Sequence, residues 1–290
     1  MRARRLNEFL PPGGEPGRVI LEIDDIHLSF AGLKALDGVS FKVHTNELFA
    51  IIGPNGAGKT CILNCISGVY HAQQGTVWFE GRELPGMRPD RIANLGIART
   101  FQNIELFPQM TVLDNLMLGR HQHLHYGTLA AMARVGRASR EEARNREVVE
   151  GLVEFLQLQA VRKSYVMMLP YGLQKRVELG RALAMGPRLL LLDEPVAGMN
   201  LEETEDMARF MNDIRWELGI GIILVEHEMR MVMDLADTVL AVDFGKPIAQ
   251  GTPTEIQNNP DVIRAYLGEE HAIEGTGEAE PGVEDLGGQP

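Results

Sequence analysis

The eight residues Gly53-Pro54-Asn55-Gly56-Ala57-Gly58-Lys59-Thr60 meet every fixed position of the pattern G-x-x-x-x-G-K-[ST]. The run before them, Leu48-Phe49-Ala50-Ile51-Ile52, is short and wholly apolar, which predicts a buried strand. The run after them, Cys61-Ile62-Leu63-Asn64-Cys65-Ile66, predicts the start of a helix. A glycine-rich loop in this strand–loop–helix setting is a phosphate-binding loop. Its backbone N–H groups curl round a phosphate chain at a helix N-terminus, where unpaired donors and the helix dipole favour negative charge. Lys59 is then placed to reach the β- and γ-phosphates, and the Thr60 hydroxyl to sit on Mg²⁺. The expectation is a chain that binds a nucleoside triphosphate.

A chain of 290 residues holds one large α/β domain or two smaller ones, and either buries a sizeable core. No run of about 18 apolar residues occurs, so no membrane span is expected. The start Met1-Arg2-Ala3-Arg4-Arg5 lacks the apolar stretch of a secretory signal. Cys61 and Cys65 lie four apart with no second Cys or His pair nearby, which reads as reduced packing residues in a cytosolic protein. The net charge of −12 is uneven: seven acidic residues and no Lys or Arg follow from Glu269, leaving −5 for residues 1–268. No basic stripe suggests a nucleic-acid partner.

In chain order, residues 1–18 are Arg-, Pro- and Gly-rich and read as a flexible lead-in. Val19–Ile23 and Val39–Val43 read as strands, with a turn at Ala31-Gly32 between them. Phe30, just before that turn, is either a base-stacking aromatic or a core residue, and periodicity does not choose. Gly75–Gly81 reads as a Gly-bounded strand, and Ile97–Gln102 as a strand ending in a polar residue. From about Asn103 the texture becomes helical. Thr111 with Asp114 opens one helix, and Ser139-x-x-Glu142 reads as a capping box opening a second, with Val148, Val149, Leu152, Val153 and Leu156 on one face. His121-Gln122-His123-Leu124-His125 falls between them. Three alternate histidines suit a metal, but with no accompanying carboxylate a surface loop is the better reading.

The apolar run Leu189-Leu190-Leu191-Leu192 predicts a central parallel strand, and it ends in Asp193-Glu194-Pro195. Packing does not explain two adjacent carboxylates, because unpaired charge is costly to bury. Beside a phosphate loop, Asp193 would help hold the Mg²⁺ shell and Glu194 would activate the attacking water. Asn200 with Glu203 caps the next helix, whose apolar face is Met207, Phe210, Met211, Ile214 and Leu218. Gly221–Val225 is another buried strand, with His227 just past its end. Ligands of open parallel sheets bind at the carboxyl ends of the strands. Gln102, Asp193, Glu194 and His227 are therefore expected to converge on the phosphate loop. Thr238–Val242 and Pro247–Gln250 suggest a hairpin, and Asn259-Pro260 starts a last helix running to Leu267. The Gly-, Glu- and Pro-rich remainder is expected to be disordered.

With these parts in order, residues 19–268 resemble the ATP-binding subunits of ABC transporters. The resemblance rests on the phosphate loop, a Q-loop at Gln102, a Walker B strand at Leu189–Asp193 with Glu194, a switch histidine at His227, and a signature segment Leu169-Pro170-Tyr171-Gly172-Leu173. It implies an α/β fold: a P-loop NTPase (RecA-like) core with an inserted α-helical subdomain at about 103–170 and an antiparallel β-subdomain. The C-terminal hairpin and helix would span about 238–268, before an acidic tail at 269–290. It also implies transport-coupled ATP hydrolysis with ATP and Mg²⁺, the metal held by Thr60, Gln102 and Asp193. Phe30 and Gly53–Thr60 would hold the nucleotide in one subunit, and Leu169–Leu173 would contact the nucleotide of a second across a head-to-tail dimer. The expected partners are that second ATP-binding subunit, transmembrane permease subunits and, indirectly, a substrate-binding protein. The expected place is the cytoplasmic face of the membrane.

Within the family, Arg99-Thr100-Phe101-Gln102-Asn103, Leu169-Pro170-Tyr171-Gly172, Ala197-Gly198-Met199-Asn200 and the ending Asn258–Gly268 look like the branched-chain amino-acid importer ATPases. Urea or amide importers and the ATPase of lipopolysaccharide export share much of that ending. A soluble ABC ATPase acting on ribosomes or DNA is a rival, but this chain has neither two nucleotide domains nor a long coiled-coil insertion. Two departures stand out. Pro170 replaces the usual signature serine and offers neither hydroxyl nor N–H. Asn200 replaces the common acid of the D-loop.

Overall fold

The computed structural model describes residues 17–84, 86–123 and 137–266, with the side chains of 137–140 left aside. Strands β1 (Val19–Phe30) and β2 (Leu33–His44) form a hairpin turned at Ala31 and Gly32, both at positive φ. With β4 (Gln74–Phe79) and β5 (Arg82–Glu83) they make an antiparallel sheet ordered β2-β1-β4-β5. Both hairpin strands run well beyond the stretches read from sequence. Asp24, Asp25, Lys34 and Asp37 interrupt the apolar alternation, and several register irregularities carry the pairing past them.

The second sheet is ordered β10-β9-β3-β8-β7-β6. It comprises β3 (Leu48–Ile52), β6 (Ile97–Arg99), β7 (Leu189–Asp193), β8 (Gly221–Val225), β9 (Thr238–Asp243) and β10 (Lys246–Gly251). All its pairings are parallel except β9 with β10. Apart from Asp193 at the end of β7, its central strands β3, β7 and β8 carry no charged residue, because successive side chains enter two different cores. Leu48, Ala50, Ile52, Leu190, Leu192, Ile222 and Leu224 pack towards the helices, whereas Phe49, Ile51, Leu189, Leu191, Ile223 and Val225 pack towards the antiparallel sheet.

Helix α1 (Lys59–Ile66) leaves the phosphate loop. Helix α2 (Pro89–Leu95), opened by proline in its first turn and closed by Gly96, was not anticipated. Helix α3 (Val112–Gly119) is capped by Thr111, which accepts the Asp114 N–H as expected. Helix α4 (Arg137–Phe155) is already helical two residues before Ser139, so Ser139-x-x-Glu142 is not its cap. Serine costs little inside a helix, so the pattern also occurs in interiors. The apolar face Val148, Val149, Leu152 and Val153 is buried against α3 and α5 (Tyr171–Ala184). Buried Arg120 joins the three, donating to Asn145 Oδ1 and the Ala184 carbonyl, each at 2.9 Å.

Helix α6 (Leu201–Leu218) begins with the Asn200/Glu203 capping box and buries the whole expected face from Met207 to Leu218. Helix α7 is Met229–Leu235. Helix α8 (Pro253–Gln257), with its own Thr252/Glu255 capping box, was missed, and residues 260–266 are helical from Pro260 as expected. His121–His123 forms a short 3₁₀ turn in which Gln122 and His123 reach the Met185 carbonyl. No cluster of metal-ligating groups occurs among the described residues. His125, residues 1–16 and the acidic tail lie outside them. No helix among the described residues is long and apolar enough to cross a membrane.

Candidate active site

Ile51, Val225 and Asp193 stand in register across the adjacent strands β3, β8 and β7. The loops that follow them therefore leave the sheet at one edge, where an open parallel sheet places its ligand. From β3 comes the phosphate loop. Its conformation is fixed by close approach: at Gly53, with φ +154°, an added Cβ would lie 2.1 Å from the Val242 carbonyl oxygen. The loop is also pinned by the β9–β10 turn, where the Gly245 N–H donates to the Ala57 carbonyl at 2.9 Å. Ala57 and Lys59 are buried, Pro54 and Gly58 half-buried, and Asn55, Gly56 and Thr60 exposed. The Lys59 ammonium lies along the loop, donating to the carbonyls of Gly53 (2.6 Å) and Pro54 (2.9 Å).

From β7 come the two carboxylates, in different surroundings. Asp193 is buried, and burial pushes its carboxyl above the usual carboxylate range, opposed by the Arg99 guanidinium 2.9 Å away. Arg99 also donates to Asn64 Oδ1 (2.6 Å) and Ser67 Oγ (3.2 Å), joining β7 to the C-terminal half of α1. Glu194 has φ +48°, a left-handed conformation that costs a non-glycine residue on the order of 1–3 kcal/mol. Its N–H donates to the Val225 carbonyl at 2.9 Å, and its side chain faces two loops. Gln102 Nε2 donates to Glu194 Oε2 at 2.7 Å, and His227 Nδ1 lies 3.8 Å from Oε1. The structure thus brings together Gln102, Glu194 and His227, and ties Asp193 to the phosphate-loop helix.

Three placements refine the sequence reading. Strand β6 stops at Arg99; Thr100 makes one more ladder bond, to the Leu191 carbonyl, and Gln102 lies in an irregular loop rather than at a strand end. Phe30 is 45 % exposed and packs edge-on against Tyr70 (5.0 Å between centroids), so it is not a core residue. Pro170 is the N-cap of α5 without any side-chain cap, and buried Leu169 anchors the signature segment from behind. Tyr171 is exposed, Leu173 packs partly buried on the core, and a Cβ on Gly172 would meet the Glu203 carboxylate at 2.2 Å. The segment thereby abuts the capping box of α6.

Close to the site, the sequence reading missed the roles of Arg99, Lys175, Glu178 and Glu226, whose charged side chains are buried. Glu226 accepts the N–H groups of Val196 and His227, both at 3.1 Å, joining the loop after Glu194 to the loop carrying His227. Burial pushes its carboxyl upward. A charge directly after an apolar strand run was the available signal, the same that singled out Asp193.

The arrangement has counterparts among known proteins. The family model for "ABC transporter" matches residues 36–197, and that for "Branched-chain amino acid ATP-binding cassette transporter" matches residues 246–272. The chain is 39 % identical over 252 residues to the high-affinity branched-chain amino acid transport ATP-binding protein BraF of Pseudomonas aeruginosa, covering 87 % of this chain and 99 % of that one. It is 38 % identical to LivG of Escherichia coli, of the same description, over 86 % of this chain and 98 % of LivG. The lipopolysaccharide export ATP-binding protein LptB of Haemophilus influenzae is 31 % identical over 88 % of this chain and 99 % of LptB. Among solved structures, the ADP conformation of MJ1267, an ATP-binding cassette of an ABC transporter, superposes with a TM-score of 0.75 at 31 % identity, covering 86 % of this chain and 99 % of that one. With a P-loop NTPase fold, a phosphate loop and this set of side chains at one sheet edge, the chain belongs to the ABC transporter family, as one of its ATP-binding, ATP-hydrolysing cassettes.

Proposed function

We propose that this chain powers uptake of branched-chain and other hydrophobic amino acids, working at the cytoplasmic face of the membrane on permease subunits served by a substrate-binding protein. The higher identity to BraF and LivG than to the lipopolysaccharide export ATPase favours import over export. The observation that carries the catalytic reading is the meeting of Gln102, Glu194 and His227 at the edge of the sheet that bears the phosphate loop.

Gly53–Lys59 hold the phosphate chain, and Phe30 offers an exposed ring to the base. The Thr60 hydroxyl, Asp193 carboxylate and Gln102 amide oxygen are all hard oxygen donors, the set that suits Mg²⁺. Held by these three residues, the ion would supply positive charge to offset the charge that develops on the transferred phosphate. Glu194 orients and activates the attacking water, and Gln102 holds the Glu194 carboxylate. His227, with Nδ1 3.8 Å from that carboxylate, would serve the γ-phosphate. The residues act by positioning and charge rather than by covalent chemistry.

Leu169–Leu173 complete the site of a second cassette in a head-to-tail dimer, whose closing and parting drive the permease. Pro170 contributes no donor to that contact. Together with Asn200 it favours a non-identical partner with a fuller signature segment. Affinity purification of the tagged chain from membranes tests this: recovery with permease subunits and a second cassette is expected. Recovery only as a lone soluble ATPase counts against it.

A further inference from the structure

The loop carrying Gln102 is held by one face of α5. Lys175, Glu178 and Arg181 lie three apart and so line one side of the helix. The Lys175 ammonium donates to the carbonyls of Gln102 (2.9 Å) and Phe101 (3.4 Å). Glu178 accepts the Phe101 N–H at 3.4 Å and the Glu105 N–H, while Arg181 donates to the Glu105 carbonyl. Lys175 and Glu178 face each other at 3.5 Å, their side chains only 2 % and 3 % exposed.

The side chains of Phe101 and Gln102 are exposed, so it is the loop backbone, not its side chains, that α5 grips. A buried ion pair is a costly way to satisfy a few peptide groups. An apolar pair of similar volume is often as stable or more so, whereas removing one partner strands a charge. The helix that carries the pair begins at Tyr171, and Lys175 lies only about 7 Å along its axis from the Pro170 cap. At the other end of the loop, Gln102 holds Glu194. A continuous set of bonds thus runs from Glu194 through Gln102 and the Lys175–Glu178 pair into α5 and Leu169–Leu173.

We propose that the buried Lys175–Glu178 pair is a positioning clamp that makes the Gln102 loop and the first turns of α5 one moving unit. Nucleotide in this chain's own phosphate site then sets the placement of the segment it offers to the partner cassette. The partner's part rests on the dimer reading above; the clamp itself lies within one chain. Its loss impairs the joint action of two sites and leaves the affinity of one site intact.

Hydrogen exchange of the full-length protein, with and without ATP and Mg²⁺, tests the clamp at a concentration where light scattering gives a monomer. In the wild type, amides at 101–105 and 169–175 are expected to change protection together when ATP binds. In Glu178→Gln and Lys175→Met, ATP affinity measured with a fluorescent analogue should stay within about threefold, the 169–175 response should vanish, and turnover should fall by roughly tenfold or more. Lys175→Arg, which keeps the charge and donors, should restore much of the response. Thermal melts identify any variant that does not fold, and Glu178→Gln, close in shape, then carries the comparison with Lys175→Arg. A 169–175 response that persists in Glu178→Gln, or is missing from ATP-bound wild type, overturns the proposal. Coupled responses in a protein whose Glu194→Gln form never dimerises on ATP would keep the clamp and remove the partner cassette.

Discussion

Gln102 Nε2 donates to Glu194 Oε2 at 2.7 Å, joining the loop after β6 to the carboxylate that directly follows β7. Glu194 is thus oriented by a side chain from another element while its own backbone is held at φ +48°. Glu194→Gln replaces a charged acceptor by a neutral group of the same shape. ATP binding should persist, turnover should fall by roughly a hundredfold or more, and a dimer should accumulate in ATP. Phosphate release with size-exclusion chromatography checks this; retained turnover would remove Glu194 as the catalytic group.

Lys59 is the buried cation of the phosphate loop. Its loss should act on binding first. A hydrogen bond to a charged group is worth about 1.5–3 kcal/mol, so Lys59→Ala should weaken ATP affinity roughly tenfold to a hundredfold. Calorimetric titration reads this directly.

Asn200 caps α6 with its side chain, accepting the Glu203 N–H at 3.0 Å. Asn200→Ala should cost about 1 kcal/mol, or roughly 2–4 °C in melting temperature. Asn200→Asp keeps the capping oxygen and should melt with the wild type. A drop in the Asp variant as large as in the Ala variant would show that the cap is not what Asn200 supplies.

Burial pushes the Cys65 thiol up to about 12, and the Cys61 thiol upward by the same cause. At pH 8 about one Cys65 in ten thousand is thiolate. Iodoacetamide should therefore leave Cys65 unmodified in the native protein and label both cysteines in denaturant, as peptide mass spectrometry would record. No change between native and denatured labelling would contradict the packing role.

The strands that build the site were legible because their surroundings are uniform. Leu189–Leu192 and Leu48–Ile52 enter core on both faces, so every position is apolar and each run stands out. The long hairpin β1–β2 was read only in part, since charged residues on its open face break the alternation the reading relies on. Gln102, Glu194 and His227 were legible as polar residues directly following such runs. Glu226, directly after Gly221–Val225, carried the same signal unread; Arg99, Lys175 and Glu178 were not legible, because a charge near apolar residues gains meaning only once its partner is known. Arg99 is separated from Asp193 by 94 residues and from Asn64 by 35. Helices α2 and α8 are short, seven and five residues, and too brief for periodicity to register.

The most direct measurement is ATP turnover by the proposed complex reconstituted in vesicles, with permease subunits and a second cassette and with a substrate-binding protein empty or loaded with leucine, isoleucine or valine. The loaded binding protein should raise turnover several-fold and drive the amino acid across the membrane towards the side bearing the cassettes, and Glu194→Gln should abolish both. Turnover indifferent to all three amino acids, or coupled to movement of a substrate away from the cassettes, would contradict the account.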